Sequence, residues 1–512
     1  MIGFQNPQLT NMTAVGAVTS RSARIWLRSE RPGNLKICWR PQAGGPEGEK
    51  RFAIEEDNLG DNTCAVDLPD ESEQMALNPL TSYRYEVERD DNAEKIGEGL
   101  FETSPTSVEE TPSKFSIALM SCNQPFDSTG KVCKEARQML RAMQRCFREN
   151  NTKLALMVGD QMYSDYPPEL SLLNGDYFPH VAPSGRRKLE DCTAEEVRRL
   201  YQRRYRHFWN IPEWKAIHAE MPCYAMWDDH ELLDNWGSDP AHQKPPWKAV
   251  GHGARSAYFD YQASRVLTRI DQKAYHYSVT YGNTAIFLMD LRSERGAGRN
   301  GGLFSENQEK DLQRFFDAHR EKPVIFVVFT VPIIHLPKRI SQVLAKITPP
   351  GEDFSDRWSA EPHVRDRNRM LERIHRHQGE NPDQCIVLLS GDIHIGCAHE
   401  LRWKNPPKGK LYQFVSSGIT HAIPRVTAYA SGLLVRMNRR FEARHESVSG
   451  SFRLLPGAPG FRQNPFGRLN MGLIEIDNSN SPTQPSICYS LFGHRGEEPI
   501  RVFRSPEIEC GR

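Results

Sequence analysis

The sequence contains no apolar run of about 18 residues, the length a helix needs to cross a bilayer, so a helical membrane span is excluded. Its opening stretch, MIGFQNPQLTNMTAVGAV, carries neither the basic nor the apolar segment of a secretory signal, which predicts a cytoplasmic protein. Excess charge is also missing. With 66 Lys plus Arg against 65 Asp plus Glu, nothing global points to a nucleic-acid partner or an anionic membrane surface. The 11 cysteines are odd in number and include no C-x-x-C pair, so a disulfide framework is not expected and most should be reduced thiols. Cys38, Cys64, Cys385 and Cys488 lie in apolar or strand-like surroundings and are expected in the core. No internal repeat or long low-complexity tract occurs.

What remains is ample material for a large enzyme. A chain of 512 residues exceeds one ordinary core and should divide into two or three domains. Residues 1–105 hold short alternating runs such as AVGAVTSRSARIWLRS, NLKICWRP, TCAVDL and SYRYEVERDD, broken by Pro, Gly, Asn and Asp. That spacing predicts a small antiparallel β-sandwich, fibronectin-III-like. Residues 106–114, within FETSPTSVEETPSK, are polar and aperiodic and suit a linker.

From 115 to 512 strand-like runs alternate with helical segments: FSIALMS, a helix through VCKEARQMLRAMQRCFREN, then KLALMVGD. One helical stretch is expected over AEEVRRLYQRRYRHFWNIPEWKAIHAE, followed by a strand at CYAMWDD. Later come TAIFLMDLRS, the helix SENQEKDLQRFFDAHR, PVIFVVFTVP, QCIVLLSGD, KLYQFVSSG and MGLIEIDN, while VSGSFRLLPGAPGFRQNPFGRL reads as an irregular loop. The repetition implies an α/β sheet covered by helices on both faces, with ligands bound beyond the carboxyl ends of its strands.

The residues that follow these strands carry the chemistry. SIALMSCNQ ends with Cys122 and Asn123, LALMVGDQMYSDY with Asp160 and Tyr163, CYAMWDDHELLDNW with Asp228, Asp229, His230 and Glu231, and IVLLSGDIHIG with Asp392 and His394. Four strands therefore bring candidate metal ligands to what should be one edge of one sheet. Clustered carboxylates repel one another and raise their own pKa values unless cations neutralise them. Carboxylates favour hard ions such as calcium, magnesium or manganese, whereas thiolate, imidazole and phenolate favour iron or zinc, so the mixture suggests two different metal positions. Two adjacent metals can bind a phosphoryl group and activate water, which predicts phosphoester hydrolysis. Asp392 and His394 stand two apart, so on a regular strand both would point into the crevice, with Gly391 freeing the turn.

In their order, SCNQ, GDQMYSDY, WDDHE, SGDIH and FVSSGI resemble the blocks of the PhoD-like alkaline phosphatase and phosphodiesterase family, within the metallophosphoesterases. GAVTSRSARIWLR is similar to that family's N-terminal β-sandwich, which precedes a layered α/β sandwich. The resemblance implies an iron and calcium site, with manganese, magnesium or zinc as alternatives. Cys122, Asp160, Tyr163 and His394 would hold iron, and Asp160 would bridge to a second metal bound by Asp229 and Asp392. The attacking group would be metal-bound hydroxide, with His230 stabilising the transition-state oxygens and protonating the leaving group. Family members usually carry an export signal, which the opening stretch does not show, and often an Asn where Asp234 stands.

Two inserts, LSLLNGDYFPHVAPSGRRKLEDC and HLPKRISQVLAKITPPGEDFSDRW, suit a lid that selects substrate. Arg186, Arg187 and Lys188 read as solvated surface and Arg255 as a helix-surface residue, each with phosphate binding as the other reading; His335 is weighed as a further ligand. Competing with a hydrolase are a non-catalytic, metal-retaining binding protein of the same fold and a binuclear hydrolase of another bond, such as a lactone.

Overall fold

The computed structural model describes residues 3–56, 59–69, 76–296, 301–334, 357–360, 363–406, 409–424, 432–433, 435–436, 440–442 and 449–511. Strands β1 (Met12–Val18), β2 (Ala23–Arg28) and β5 (Thr63–Leu68) form one antiparallel sheet; β3 (Gly33–Pro41), β4 (Gly48–Ile54), β6 (Ser82–Arg89) and β7 (Lys95–Glu102) form a second. Alternate residues of both, among them Val15, Ile25, Leu35, Ile37, Tyr85 and Val87, share one buried core.

Two larger sheets follow. The first runs β10 (Cys223–Met226), β9 (Thr152–Val158), β8 (Lys114–Met120), β19 (Met471–Asp477), β20 (Ser486–Arg495), β21 (Glu498–Arg504), with β22 (Ile508–Glu509) also on β20. Its β10, β9 and β8 are parallel neighbours. The second runs β11 (Tyr277–Tyr281), β12 (Thr284–Leu288), β13 (Val324–Val328), β14 (Cys385–Ser390), β16 (Lys410–Val415), β15 (Cys397–Trp403), β18 (Ser449–Leu454), β17 (Arg440–Glu442), and β12, β13, β14 and β16 are parallel.

The period of two along a strand decides which core each residue enters. Ile117 and Leu119 of β8 join Leu288, Phe326, Val328, Val387 and Leu389 in a cluster shared by the two sheets. Ala118 and Met120 face the other way, into a cluster with helices α1 (Lys134–Glu149), α2 (Ala194–Trp209), α3 (Pro212–Glu220) and α4 (Pro245–Tyr261). Ile325, Val327, Ile386 and Leu388 pack against α5 (Glu306–Ala318) and α6 (Val364–Glu380). The four ligand-bearing strands thus belong to two sheets, not to the single sheet expected. Such a doubly covered strand is a nearly continuous apolar run, so its sequence does not say which sheet it joins.

Three further expectations are corrected. The helical stretch 194–220 is two helices, because Pro212 holds Ile211 extended at φ −109° and ψ 120°. Residues 449–454, read as loop, form β18. Cys488 is buried, but Cys38, Cys64 and Cys385 are half-buried. Contacts between the first two sheets and the rest are extensive: Trp26 Nε1 donates to Asp260 O at 2.7 Å and Tyr85 Oη to Ala219 O at 3.2 Å. Among the described residues no helix is long and apolar enough to cross a membrane.

Candidate metal centre

Each candidate ligand follows its strand within a few residues, and the backbone there turns sharply. Cys122 (φ 59°), Asp160 (φ 57°), Asp392 (φ 64°) and His394 (φ 52°) all adopt the left-handed conformation. Non-glycine residues enter it at a cost of roughly 1–2 kcal/mol each, so four together mark a place where the surroundings dictate the backbone. β14 ends at Ser390, and Asp392 and His394 lie in this turn rather than on the regular strand expected. The contribution of Gly391 is closeness: a Cβ there would lie 2.2 Å from Ser121 Oγ. Through that contact the ends of β8 and β14, in different sheets, approach each other, and Asp392 N donates to Ser121 Oγ at 3.1 Å.

The soft ligands meet at Cys122. Its fully buried Sγ lies 3.3 Å from Asp160 Oδ2 and 3.1 Å from Ser417 Oγ, and it also hydrogen-bonds the His394 side chain. Burial pushes the thiol pKa up, but His394, Ser121 and Ser417 outweigh it and bring it down to about 6. Such a thiol readily becomes the thiolate that binds metal. Tyr163 Oη, also buried, is 3.4 Å from Asp160 Oδ2. Cys122 and Tyr163 thus both approach Asp160, and His394 lies beside Cys122.

The hard ligands form the adjoining group. Carboxylate oxygens of Asp160, Asp228, Asp229 and Asp392 all lie within 4.8 Å of one another. Burial, then the charges of Cys122, Asp229, Asp228 and Glu231, push the Asp160 carboxyl well above its ordinary pKa. Asp160 Oδ1 and His394 Nδ1 are buried without a hydrogen-bond partner. Orphaned acceptors inside a carboxylate cluster are costly unless a cation completes them, so the donor set fits bound metal. Asp228, one of the candidate ligands after β10, belongs to this cluster.

Protein cations also converge here. Arg292, wholly buried, pairs with Asp228 and lies 3.7 Å from Asp229 Oδ2, while Arg357 pairs with Asp392. Arg292 follows β12, so asking what stands after each apolar strand reaches it; Arg357 carries no local signal. His421 was also missed: its Nδ1 is 3.2 Å from Tyr163 Oη, and its ring packs 4.4 Å from that of His394.

His230 stacks on Tyr163 with ring centroids 4.1 Å apart, and its Nδ1 is 2.8 Å from Asp165 Oδ1. Burial works against its protonated form, yet the carboxylates of Asp165, Asp229 and Asp234 raise its pKa well above the ordinary value. One of its ring nitrogens also groups with oxygens of Asp160 and Asp229 within 4.8 Å. Glu231 faces backbone, accepting from the amides of Asp160, Gln161 and Asp228 at 3.0, 2.6 and 2.8 Å. Asn123 is held between Thr420 Oγ1 and Gln161 O, and Asp234 is exposed. Arg186 pairs with Glu196, and Arg255 caps Gln272 O while covering the ring of Tyr275. His335 and most of its insert lie outside the described residues.

Comparison with known proteins places the chain in a family. Alkaline phosphatase D of Bacillus subtilis (strain 168) is 23% identical over 284 residues, covering 52% of this chain and 46% of that protein. The uncharacterized protein YGR266W of Saccharomyces cerevisiae (strain ATCC 204508 / S288c) is 22% identical over 324 residues, covering 48% and 45%. The alignments thus span less than half the length of these curated relatives. A solved structure of PhoD superposes with a TM-score of 0.62 at 16% identity, covering 98% of this chain and 93% of the other, which establishes a shared fold. The profile of the PhoD-like phosphatase family matches residues 117–448, and the chain belongs to that family.

Proposed function

We propose that the protein is a metal-dependent phosphoester hydrolase, an alkaline phosphatase or phosphodiesterase of the PhoD-like kind. The observation that carries this reading is the convergence of four buried carboxylates, Asp160, Asp228, Asp229 and Asp392, beside the thiol, phenol and imidazole of Cys122, Tyr163 and His394. Cys122, Asp160, Tyr163 and His394 would hold iron, and Asp229 and Asp392, with Asp160 shared, a second ion such as calcium; manganese, magnesium or zinc are the alternatives. Bound there, the cations supply the charge that binds a phosphoryl group and lowers the pKa of water.

The chain's own residues then have separate tasks. Asp165 fixes the Nδ1 side of His230, leaving Nε2 to donate to a phosphoryl oxygen and to give a proton to the departing oxygen. Glu231 holds the amides after β9 and β10 and so sets where Asp160 and Asp228 stand. Arg292 and Thr330 Oγ1, the latter at 3.0 Å, both engage Asp228 Oδ1 and keep that carboxylate aligned. The surrounding architecture is read as a metallophosphoesterase-like layered α/β sandwich over 115–512, preceded by a fibronectin-III-like β-sandwich over 1–105 and a linker over 106–114.

The test is metal analysis of the purified protein by mass spectrometry, with hydrolysis of p-nitrophenyl phosphate and bis-p-nitrophenyl phosphate before and after chelation. Iron with a second metal and chelator-sensitive turnover are expected. Metal without turnover on any phosphoester would instead identify a binding protein of the same fold.

A further inference from the structure

We propose that Arg265 holds a small monovalent anion, chloride in solution, buried where the first two sheets meet the helical layer. Arg265 follows α4 and is 0% exposed, as are Trp26 of β2, Trp209 of α2, and Trp214 and His218 of α3. Its guanidinium carbon stands 4.8 Å from the ring centroid of Trp26 and 5.6 Å from that of Trp209. Nη1 lies 2.8 Å from His218 Nδ1 and donates to it. Among the described residues no carboxylate pairs with this arginine, and its Nε and Nη2 have no acceptor. A fully buried cation without a counter-ion is strongly unfavourable.

The protein's own acidic groups do not neutralise it. Those that Arg265 feels most strongly are Cys223, Tyr205, Tyr85 and Tyr258. Burial keeps each protonated: the Cys223 thiol is pushed up to about 12, and the three phenols are raised as well. Burial and the charge of Arg265 hold His218 neutral, and because its Nδ1 accepts from the arginine, its one proton is on Nε2. That N–H is orphaned, as are the indole N–H groups of Trp209 and Trp214, whose ring centroids lie 5.5 and 4.8 Å from that of His218. Water would satisfy such N–H groups but not the charge. Nε–H and one Nη2–H leave the guanidinium in parallel along one edge, the fork by which arginine takes an anion. A monovalent ion on that edge cancels the charge, whereas a dianion such as phosphate would bury a second charge unpaired. Held there, the anion joins the sheet of Trp26 to α2 and α3, and this role does not depend on the phosphoester reading.

Protein dialysed into sodium gluconate would be melted in rising sodium chloride or sodium bromide at constant ionic strength, and bromide-soaked crystals would be searched for anomalous scattering. Halide should raise the melting temperature in a saturable way, as a ligand of the folded state does, and bromide should give a peak beside Nε and Nη2 of Arg265. Arg265→Met, which keeps an apolar stem and removes the charge, should abolish the halide shift. Arg265→Lys, which keeps the charge and loses the fork, should raise the half-saturating halide concentration by about ten- to a hundredfold, the worth of a charge-assisted hydrogen bond. Identical melting in gluconate and chloride, with no bromide peak at Arg265, would overturn the proposal and assign those N–H groups to ordered water. A halide shift that persists in Arg265→Met would overturn it too, by placing the anion elsewhere, such as the metal centre. Should neither variant fold, the wild-type melts and the bromide map still decide.

Discussion

Glu231 accepts the backbone amide of Asp160 at 3.0 Å and that of Asp228 at 2.8 Å on the same carboxylate oxygen, Oε2. Two acidic residues from neighbouring strands are thus positioned by a third that does not join them. The other oxygen accepts from Gln161 N at 2.6 Å and Gln262 Nε2 at 3.2 Å, so both face donors only. Glu231→Gln keeps the shape but must turn an NH2 group toward one of those pairs. A cost of about 1–3 kcal/mol is expected for the unmade hydrogen bonds, together with weaker metal binding. Thermal melts and metal titration of Glu231→Gln check this; a variant that melts and titrates like wild type would refute the clamp.

His394 and His230 should separate metal binding from turnover. His394→Ala removes an imidazole that lies beside the Cys122 thiol and whose Nδ1 has no hydrogen-bond partner, so iron content should drop. His230→Ala removes a ring held by Asp165 and stacked on Tyr163, so metal should stay while turnover falls by about 10²–10⁴-fold, the range of general acid catalysis. Because a His230 nitrogen also reaches the Asp160 and Asp229 group, equal metal loss in both variants would make His230 a ligand.

The ends of the apolar strands were legible in the sequence because both parts of the signal are local: a buried run, then polar residues within a few positions. That rule located Cys122, Asp160, Asp229, Asp392 and His394 and also passes through Arg292. Which sheet each strand joins was not legible, since Ile117 and Ala118 look alike in a strand covered on both faces. Nor was the left-handed backbone at Asp392 and His394, imposed by contact with Ser121 and Ser417 from other strand ends. Arg357 and His421 reach the centre only through tertiary folding, and neither stands in a motif. Glu231 was visible, but whether an acid faces metal or backbone depends on a turn geometry that spacing does not encode.

Gly391→Ala should damage the centre without touching a ligand. The added Cβ would lie 2.2 Å from Ser121 Oγ and 2.3 Å from Ser121 Cβ, which pushes the Asp392 turn away from the Cys122 turn. Overpacking of this kind costs about 1–3 kcal/mol, and here it also widens the gap between ligands from the two sheets. Gly175→Ala is the control, since nothing lies within 4 Å of its Cβ position. Metal content per chain, measured for both, should fall for Gly391→Ala alone. Full metal occupancy in Gly391→Ala would show that the sheets' separation there is not critical.

Asp61 should make the attachment of the first two sheets sensitive to acid. It lies between β2 and the helical layer, pairing with Arg28 and with Arg206 and accepting from Tyr261 Oη. Burial alone would raise its pKa, but the hydrogen bond and charge of Arg28, the charge of Arg206 and the hydroxyl of Tyr261 hold it below the ordinary value. The sign follows: the stabilisation is fully present above the unfolded value of about 3.9 and is lost as pH falls through the lower folded value. Asp61→Asn removes the charge at every pH and leaves two arginines facing an amide, which should cost on the order of 3–5 kcal/mol at neutral pH. Melting temperature followed from about pH 5 down to about pH 2 should show the wild type descending toward the variant at the acid end. Parallel curves across that range would mean that Asp61 does not carry the acid sensitivity of this junction.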